Sequence, residues 1–163
     1  MKNPILIILL FLSYINGYSQ TTYPSANFII TVDGKVVIGE LAKIDLAFKT
    51  KDSLNQIVHS TYIPGNLSFG IDENMIFSDS LELTFNYYET CNNKHVIYKY
   101  EVNLPKVWLS YSYIVLRVYN TSKSKYKKIY YPLEGKSYTY EWDLPTGSIE
   151  RIKKNYPKPD CER

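Results

Sequence analysis

"LELTFNYYE" (residues 81–89) and "HVIYKYEVNL" (95–104) decide the fold. In the first, Leu81, Leu83, Phe85 and Tyr87 occupy every second position, with Glu82, Thr84 and Asn86 between them. The second repeats the alternation: Val96, Tyr98, Tyr100, Val102 and Leu104 form one row, and His95, Lys99, Glu101 and Asn103 form the other. Ile97 alone is out of phase. Alternation at a period of two marks a strand with one buried face, and the polar stretch Thr90–Lys94 joins the two runs as a hairpin. Pro105 ends the second strand, since proline has no N–H to give to a ladder.

The same period governs the chain on either side. "NFIITVDGKVVIGEL" (27–41) reads as a hairpin in which Asp33 and Gly34 supply a two-residue turn tolerant of positive φ, flanked by Ile30, Val32, Val36 and Ile38. Ile44, Leu46 and Phe48 make one side of the next strand. A strand over 57–63 then runs into the turn Pro64–Asn66, after which Leu67, Phe69 and Ile71 share a face. "YSYIVLRVY" (111–119) is the least amphipathic segment and is expected at the centre of a sheet. In "SYTYEWDL" (137–144), Tyr138, Tyr140, Trp142 and Leu144 alternate with polar neighbours, so burial of that row is expected, the alternative being an aromatic ligand platform. Short strands are also expected at "IYYPL" (129–133) and "SIERIKK" (148–154). About nine or ten strands, punctuated by turns at intervals of roughly 8 to 15 residues, predict an all-β protein. The expected form is an antiparallel β-sandwich of immunoglobulin-like or transthyretin-like arrangement, with a small closed β-barrel as the alternative.

Residues 1–19 carry Lys2, an apolar run "PILIILLFLSYI" (4–15) and small residues at Gly17 and Ser19, which is the pattern of a cleaved secretory signal. The run is shorter than the roughly 20 residues that a membrane-spanning helix needs. The expectation is therefore export to a periplasmic or extracellular space, with cleavage near Ser19 and no integral membrane segment afterwards. A short signal with one lysine suits a bacterial host. Residues 20–154 read as one β domain, followed by the tail 155–163. Cleavage takes Lys2 from 19 basic residues and leaves 18 against 16 acidic ones, a balance that gives no reason to expect nucleic acid as a partner.

Cys91 and Cys161 are the only two cysteines. In an oxidising compartment an even count reads as a disulfide, closing a loop of about 70 residues and contributing about 4 kcal/mol on a chain-entropy account. Two independent thiols, or Cys91 acting as a nucleophile with His95, are the alternatives. A nucleophilic cysteine needs a base and an orienting third group, and no third group stands out. His59 and His95 lie in no metal-binding spacing, no phosphate-binding or cofactor motif occurs, and no metal or cofactor is expected. The carboxylate pairs Glu82/Glu101 and Glu141/Asp143 fall on the polar phase of their strands, where a solvated face is the simpler reading than glycoside hydrolysis.

The expectation is a noncatalytic exported module that binds a surface protein or glycan through a sheet face, an edge or a loop end. A small secreted hydrolase using a carboxylate pair or Cys91/His95, and a structural or assembly factor of the cell envelope, are the alternatives. Tyr113 and Tyr119 flank Arg117 on the phase opposite Ile114, Leu116 and Val118, so two rings around a guanidinium form the first candidate patch. "KSKYKK" (123–128) adds Lys125, Tyr126 and Lys128, a basic loop with an aromatic, suited to an anionic glycan or to guarding an edge strand. If Cys91 and Cys161 are paired, denatured mature protein beginning at Gln20 takes up no alkylating agent until it is reduced, and then takes up two equivalents by mass spectrometry.

Overall fold

A row of apolar side chains along a strand is stable only against a second such row, so alternating segments assemble as two packed layers. The computed structural model describes residues 25–49, 55–70, 78, 80–91 and 94–154. The signal segment 1–19, the tail 155–163 with Cys161, the expected disulfide and Ile71 lie outside the described residues. Eleven strands are described: β1 (Ser25–Ala26), β2 (Phe28–Val32), β3 (Lys35–Val36), β4 (Leu41–Lys49), β5 (Asn55–Ile63), β6 (Asn66–Phe69), β7 (Ser80–Cys91), β8 (Lys94–Pro105), β9 (Ile114–Asn120), β10 (Tyr138–Leu144) and β11 (Gly147–Ile149). A 3-10 turn (Lys106–Ser110) follows β8, and a single helical turn, α1 (Ser124–Lys127), follows β9.

The strands form a six-stranded sheet, in the order β1-β6-β5-β4-β7-β8, and a five-stranded sheet, β11-β10-β9-β2-β3. Among the described residues there is no closed barrel, and each sheet keeps two edges. Strands β4, β5 and β6 run as a meander, and β7 returns to lie beside β4, which is a Greek key, common in sandwiches. One pairing departs from the antiparallel expectation. β2 lies parallel to β9, with Ile30 opposite Leu116 and Val32 opposite Val118. Strands so distant in sequence are not joined by a tight turn, so nothing local dictates their relative direction.

Both inner faces meet in one hydrophobic cluster. Phe28, Ile30, Ile114, Leu116, Val118 and Trp142 come from the smaller sheet; Leu46, Leu67, Leu83, Phe85, Val102 and Leu104 come from the larger. β9 is central, as the sequence implies. The row Tyr138–Leu144 is core: Tyr138, Trp142 and Leu144 are buried and Tyr140 packs against the cluster. Two details differ from the alternation. In the β2–β3 hairpin the turn is at Asp33–Gly34 with φ of 55° and 80°, but Val37 is the buried residue while Val36 and Ile38 are exposed. The strand stops there because the Glu40 carboxylate accepts from the N–H groups of Ile38 (2.8 Å) and Gly39 (3.0 Å), drawing the chain into a turn. The segments expected as strands at 129–133 and 148–154 shrink to a Tyr130–Lys153 bridge and the short β11.

Tyrosine hydroxyls tie the layers in both directions. Tyr62 of the larger sheet accepts from Ile30 N of the smaller at 2.9 Å. Tyr138 of the smaller reaches Glu101 on edge strand β8, accepting from its N–H and donating to its C=O, each at 2.8 Å. Tyr138→Phe strips both partners from Glu101 and is expected to lower stability by about 1–2 kcal/mol, read as a lower urea midpoint at unchanged slope. The exposed Tyr131→Phe is the control and should leave the midpoint in place.

Candidate interaction surfaces

The residues singled out in the sequence are distributed over two environments. Arg117 makes an ion pair with Asp143, the residue diagonal to it on β10, whose other oxygen accepts from Ser148 Oγ at 2.6 Å. Tyr113 is partly exposed, but its hydroxyl donates to Leu144 O at 3.2 Å. Tyr119 donates to Glu141 Oε2 at 3.2 Å and stacks on Tyr130 with ring centroids 4.4 Å apart. The outer face of β9 and β10 is therefore partly covered: Glu141, expected on a solvated face, is only 3% exposed, while Tyr113 and the Arg117 side chain keep about two-fifths of their surface, 40% and 39%. The cause is the chain that follows β9. It folds back over this face through α1 and Tyr130, and Arg151 N donates to Glu141 Oε1 at 3.0 Å. Within "KSKYKK", Tyr126 is buried and donates to Asp33 O at 2.7 Å, while Lys125 and Lys128 are exposed.

Lys123, from the same basic stretch, has a different place. Its ammonium sits 2.7 Å from Asp33 Oδ2 and 2.7 Å from both oxygens of Glu89, linking the β2–β3 turn to β7 of the other sheet. Burial works to lower its pKa, but hydrogen bonds to Asp33 and Glu89 outweigh burial and raise it. Asp33 also accepts from Asn120 N through Oδ1 at 2.8 Å. One end of the sandwich is thus closed by a single residue, Asp33, whose carboxylate receives the end of β9 and Lys123 and whose carbonyl receives Tyr126 of α1. Tyr100 lies beneath it, buried, with no partner for its hydroxyl among the described residues.

Through Glu89, which lies opposite Val96, this closure meets the β7–β8 hairpin near its tip. Its register runs from Ser80–Pro105 to Cys91–Lys94, but burial on β8 ends at Tyr100, and Lys94 to Ile97 are exposed throughout. Tyr88 and Ile97 face each other across the two strands, 39% and 56% exposed, and Val96 on the opposite face is 39% exposed. β8 is also the edge of its sheet. Because Glu101 turns its N–H and C=O outward to Tyr138, strand alternation turns those of His95, Ile97 and Lys99 the same way. Among the described residues none of these three has a partner on that side. The Lys136 and Lys99 ammonium groups both reach Glu101 and hold its carboxyl below the ordinary range.

The alternative chemistries find little support in this arrangement. His95 Nδ1 lies 3.0 Å from Thr90 Oγ1, and Cys91 is described only as the last residue of β7. Glu82 lies opposite Asn103 rather than Glu101, and Glu101, Glu141 and Asp143 are each engaged by cations or hydroxyls. Reading by sequence missed one pair: Asp45 and His59 meet across β4 and β5 at 2.6 Å, the imidazole 92% exposed. Their separation in sequence gives no cue without the register. Among the described residues no group of three or more His, Cys, Asp or Glu is placed to hold a metal, and no helix is long and apolar enough to cross a membrane. Comparison with protein-family models, with curated proteins and with solved structures finds no match.

The buried phenols carry a pH dependence. Burial, aided by the nearby Asp33 carboxylate, pushes Tyr100 well above its ordinary 10.0; burial, then Tyr130 and Glu141, does the same for Tyr119. The unfolded chain loses these protons near pH 10 while the folded one keeps them, so the native state binds more protons above that pH and stability falls. Denaturant midpoints should be insensitive to these groups below about pH 10 and decline above it, with a shallower decline in Tyr100→Phe and Tyr119→Phe.

Proposed function

We propose that this chain is an exported, noncatalytic interaction module that recognises a cell-surface or envelope partner, protein or carbohydrate. The observation that carries the reading is the far end of the β7–β8 hairpin, which exposes Tyr88 and Ile97 opposite each other on the outer face of the larger sheet and Val96 on the other face. Solvent-exposed apolar side chains gathered at one element mark an interaction surface more often than chance scatter does. Lys123 holds Glu89, which lies opposite Val96 and next to Tyr88, so the surface is held in place before any partner arrives. Preorganisation of that kind lowers the entropic cost of association. Export rests on the apolar, lysine-led first 19 residues.

Two packed sheets and the Greek key support an immunoglobulin-like or transthyretin-like arrangement, in which loop ends and edges serve binding. Tyr113 and Arg117, with the exposed Lys125 and Lys128, supply a second face on the smaller sheet. The polar atoms of Tyr113 and Arg117 are already engaged within the fold, so this face offers ring and charge rather than unsatisfied hydrogen bonds.

Tagged mature protein incubated with an envelope extract of the host, and in parallel with a glycan array, should retain a saturable partner. Tyr88→Ser with Ile97→Ser should cut retention by about tenfold, the loss of roughly 1.4 kcal/mol, with urea midpoints little changed because both side chains lie outside the core. Retention unaffected by that pair but abolished by Tyr113→Ala with Arg117→Ala would move the surface to the smaller sheet. Retention unaffected by either would overturn the hairpin reading.

A further inference from the structure

The open part of β8 is a strand without a neighbour. Its outward backbone groups at His95, Ile97 and Lys99 are unsatisfied within the described chain, whereas two residues farther on Tyr138 fills that role for Glu101. Edges of this kind pair with another strand whenever the side chains permit it.

The side chains determine which strand is admitted. His95, Ile97 and Lys99 share the outer face beside the edge, and Lys94 closes the register at the tip. The nearby acids are met by cations: Glu101 holds Lys99 and Lys136, Glu82 on the same face acts on both ammonium groups, and Glu89 holds Lys123. The excess positive charge along the edge is therefore that of Lys94 at the tip. A second copy of this chain is a poor occupant. Antiparallel pairing of two β8 edges about Ile97 sets His95 against Lys99 twice, so neither Lys99 ammonium meets a carboxylate across the new ladder, where opposite charges are the stabilising pairs. A strand with acids flanking an apolar residue meets Lys99 and the tip with opposite charge and lays its apolar side chain beside Ile97.

Resting on the interaction-module reading, we propose that the Lys94–Lys99 edge of β8 binds an extended acidic polypeptide by strand addition, with alternating apolar and carboxylate side chains on the bound segment. Backbone bonds to His95, Ile97 and Lys99 supply the attachment. Ile97 and Tyr88 on one face and Val96 on the other supply the apolar contact, and Lys94 and Lys99 select the sign of charge.

The test uses a short, end-capped, fluorescently labelled peptide of alternating valine and glutamate, titrated with mature protein and followed by anisotropy. Two comparison peptides accompany it, one with lysine for glutamate and one with N-methyl groups on alternate amides of one edge. Ile97→Pro removes an edge N–H without touching the ladder to β7, and proline is tolerated at such positions. Saturable binding of the acidic peptide, at least about tenfold weaker with Ile97→Pro or with the N-methylated peptide, and reversed in charge preference by Lys94→Glu with Lys99→Glu, is the expected result. Should Ile97→Pro fail to fold by circular dichroism, the N-methylated peptide on unaltered protein decides the same point. Absence of binding, equal binding of the lysine peptide, or equal binding after N-methylation overturns the proposal. So does a concentration-dependent dimer abolished by Ile97→Pro, which assigns the edge to a second copy. An envelope partner retained equally by the unaltered protein and by folded Ile97→Pro leaves the interaction module standing and removes strand addition alone.

Discussion

A backbone N–H or C=O beside an apolar core must find a partner, and in this sandwich tyrosine hydroxyls provide several of them. Three of the four edge strands are short: β1 and β3 have two residues each and β11 has three, while β8 has twelve. Where a neighbour runs out, a phenol arrives from elsewhere in the chain. Tyr62 serves Ile30, Tyr138 serves Glu101, Tyr126 serves Asp33 and Tyr113 serves Leu144. A tyrosine buries its ring among the apolar rows and carries a polar atom to the layer beyond, which no aliphatic residue does. Its abundance, 17 of 163 residues, thus has a structural use before any binding role is considered.

The same logic sets where the fold is firm and where it is open. Asp33 closes one end because a positive-φ turn brings a carboxylate and a carbonyl to the point where β9 ends, and both are filled by the chain that follows. Lys123 then connects that turn to Glu89 on the opposite sheet. A charge placed between two carboxylates and partly withdrawn from water stabilises mainly by geometry, since each pair offsets the desolvation of the other. Between Lys94 and Lys99, neither a phenol nor a carboxylate among the described residues reaches the outward backbone edge of β8. The exposure of Tyr88 and Ile97 follows from strand phase: both face away from the second sheet, while Tyr100, Val102 and Leu104 on the inner row of β8 are buried.

Period two was sufficient to locate most inner faces, because side-chain direction in a strand is local. Leu81, Leu83, Phe85 and Leu116 needed no knowledge of partners. The parallel β2–β9 pairing, the Asp45–His59 contact and the burial of Glu141 depend on which strands become neighbours, and alternation is silent on that. Glu141 is instructive. Its phase was polar, as read, but polar phase implies solvent only if nothing covers the sheet, and the segment after β9 does. Cys91 and Cys161 bear on the tail, outside the described residues. For the site, the patch at Tyr113, Arg117 and Tyr119 was legible as a face, and the fact that its polar atoms are consumed was not. Ile97 carried the better signal, an apolar residue in a polar row.

That single break in phase links the sequence to the surface. An apolar residue on the solvent side of a central strand is met by a covering loop, and the misfit vanishes into the core. On the outer face of an edge strand there is no such cover among the described residues, so Ile97, with Tyr88 across from it, stays in water next to unpaired backbone. Lysines at 94 and 99 bracket the exposure. They act against pairing between identical edges, which would otherwise lead to aggregation, while leaving the edge accessible to a strand of opposite charge. Guarding an edge and choosing its partner are then the same electrostatic property, and lysine rather than proline at 99 keeps a donor that a partner strand requires.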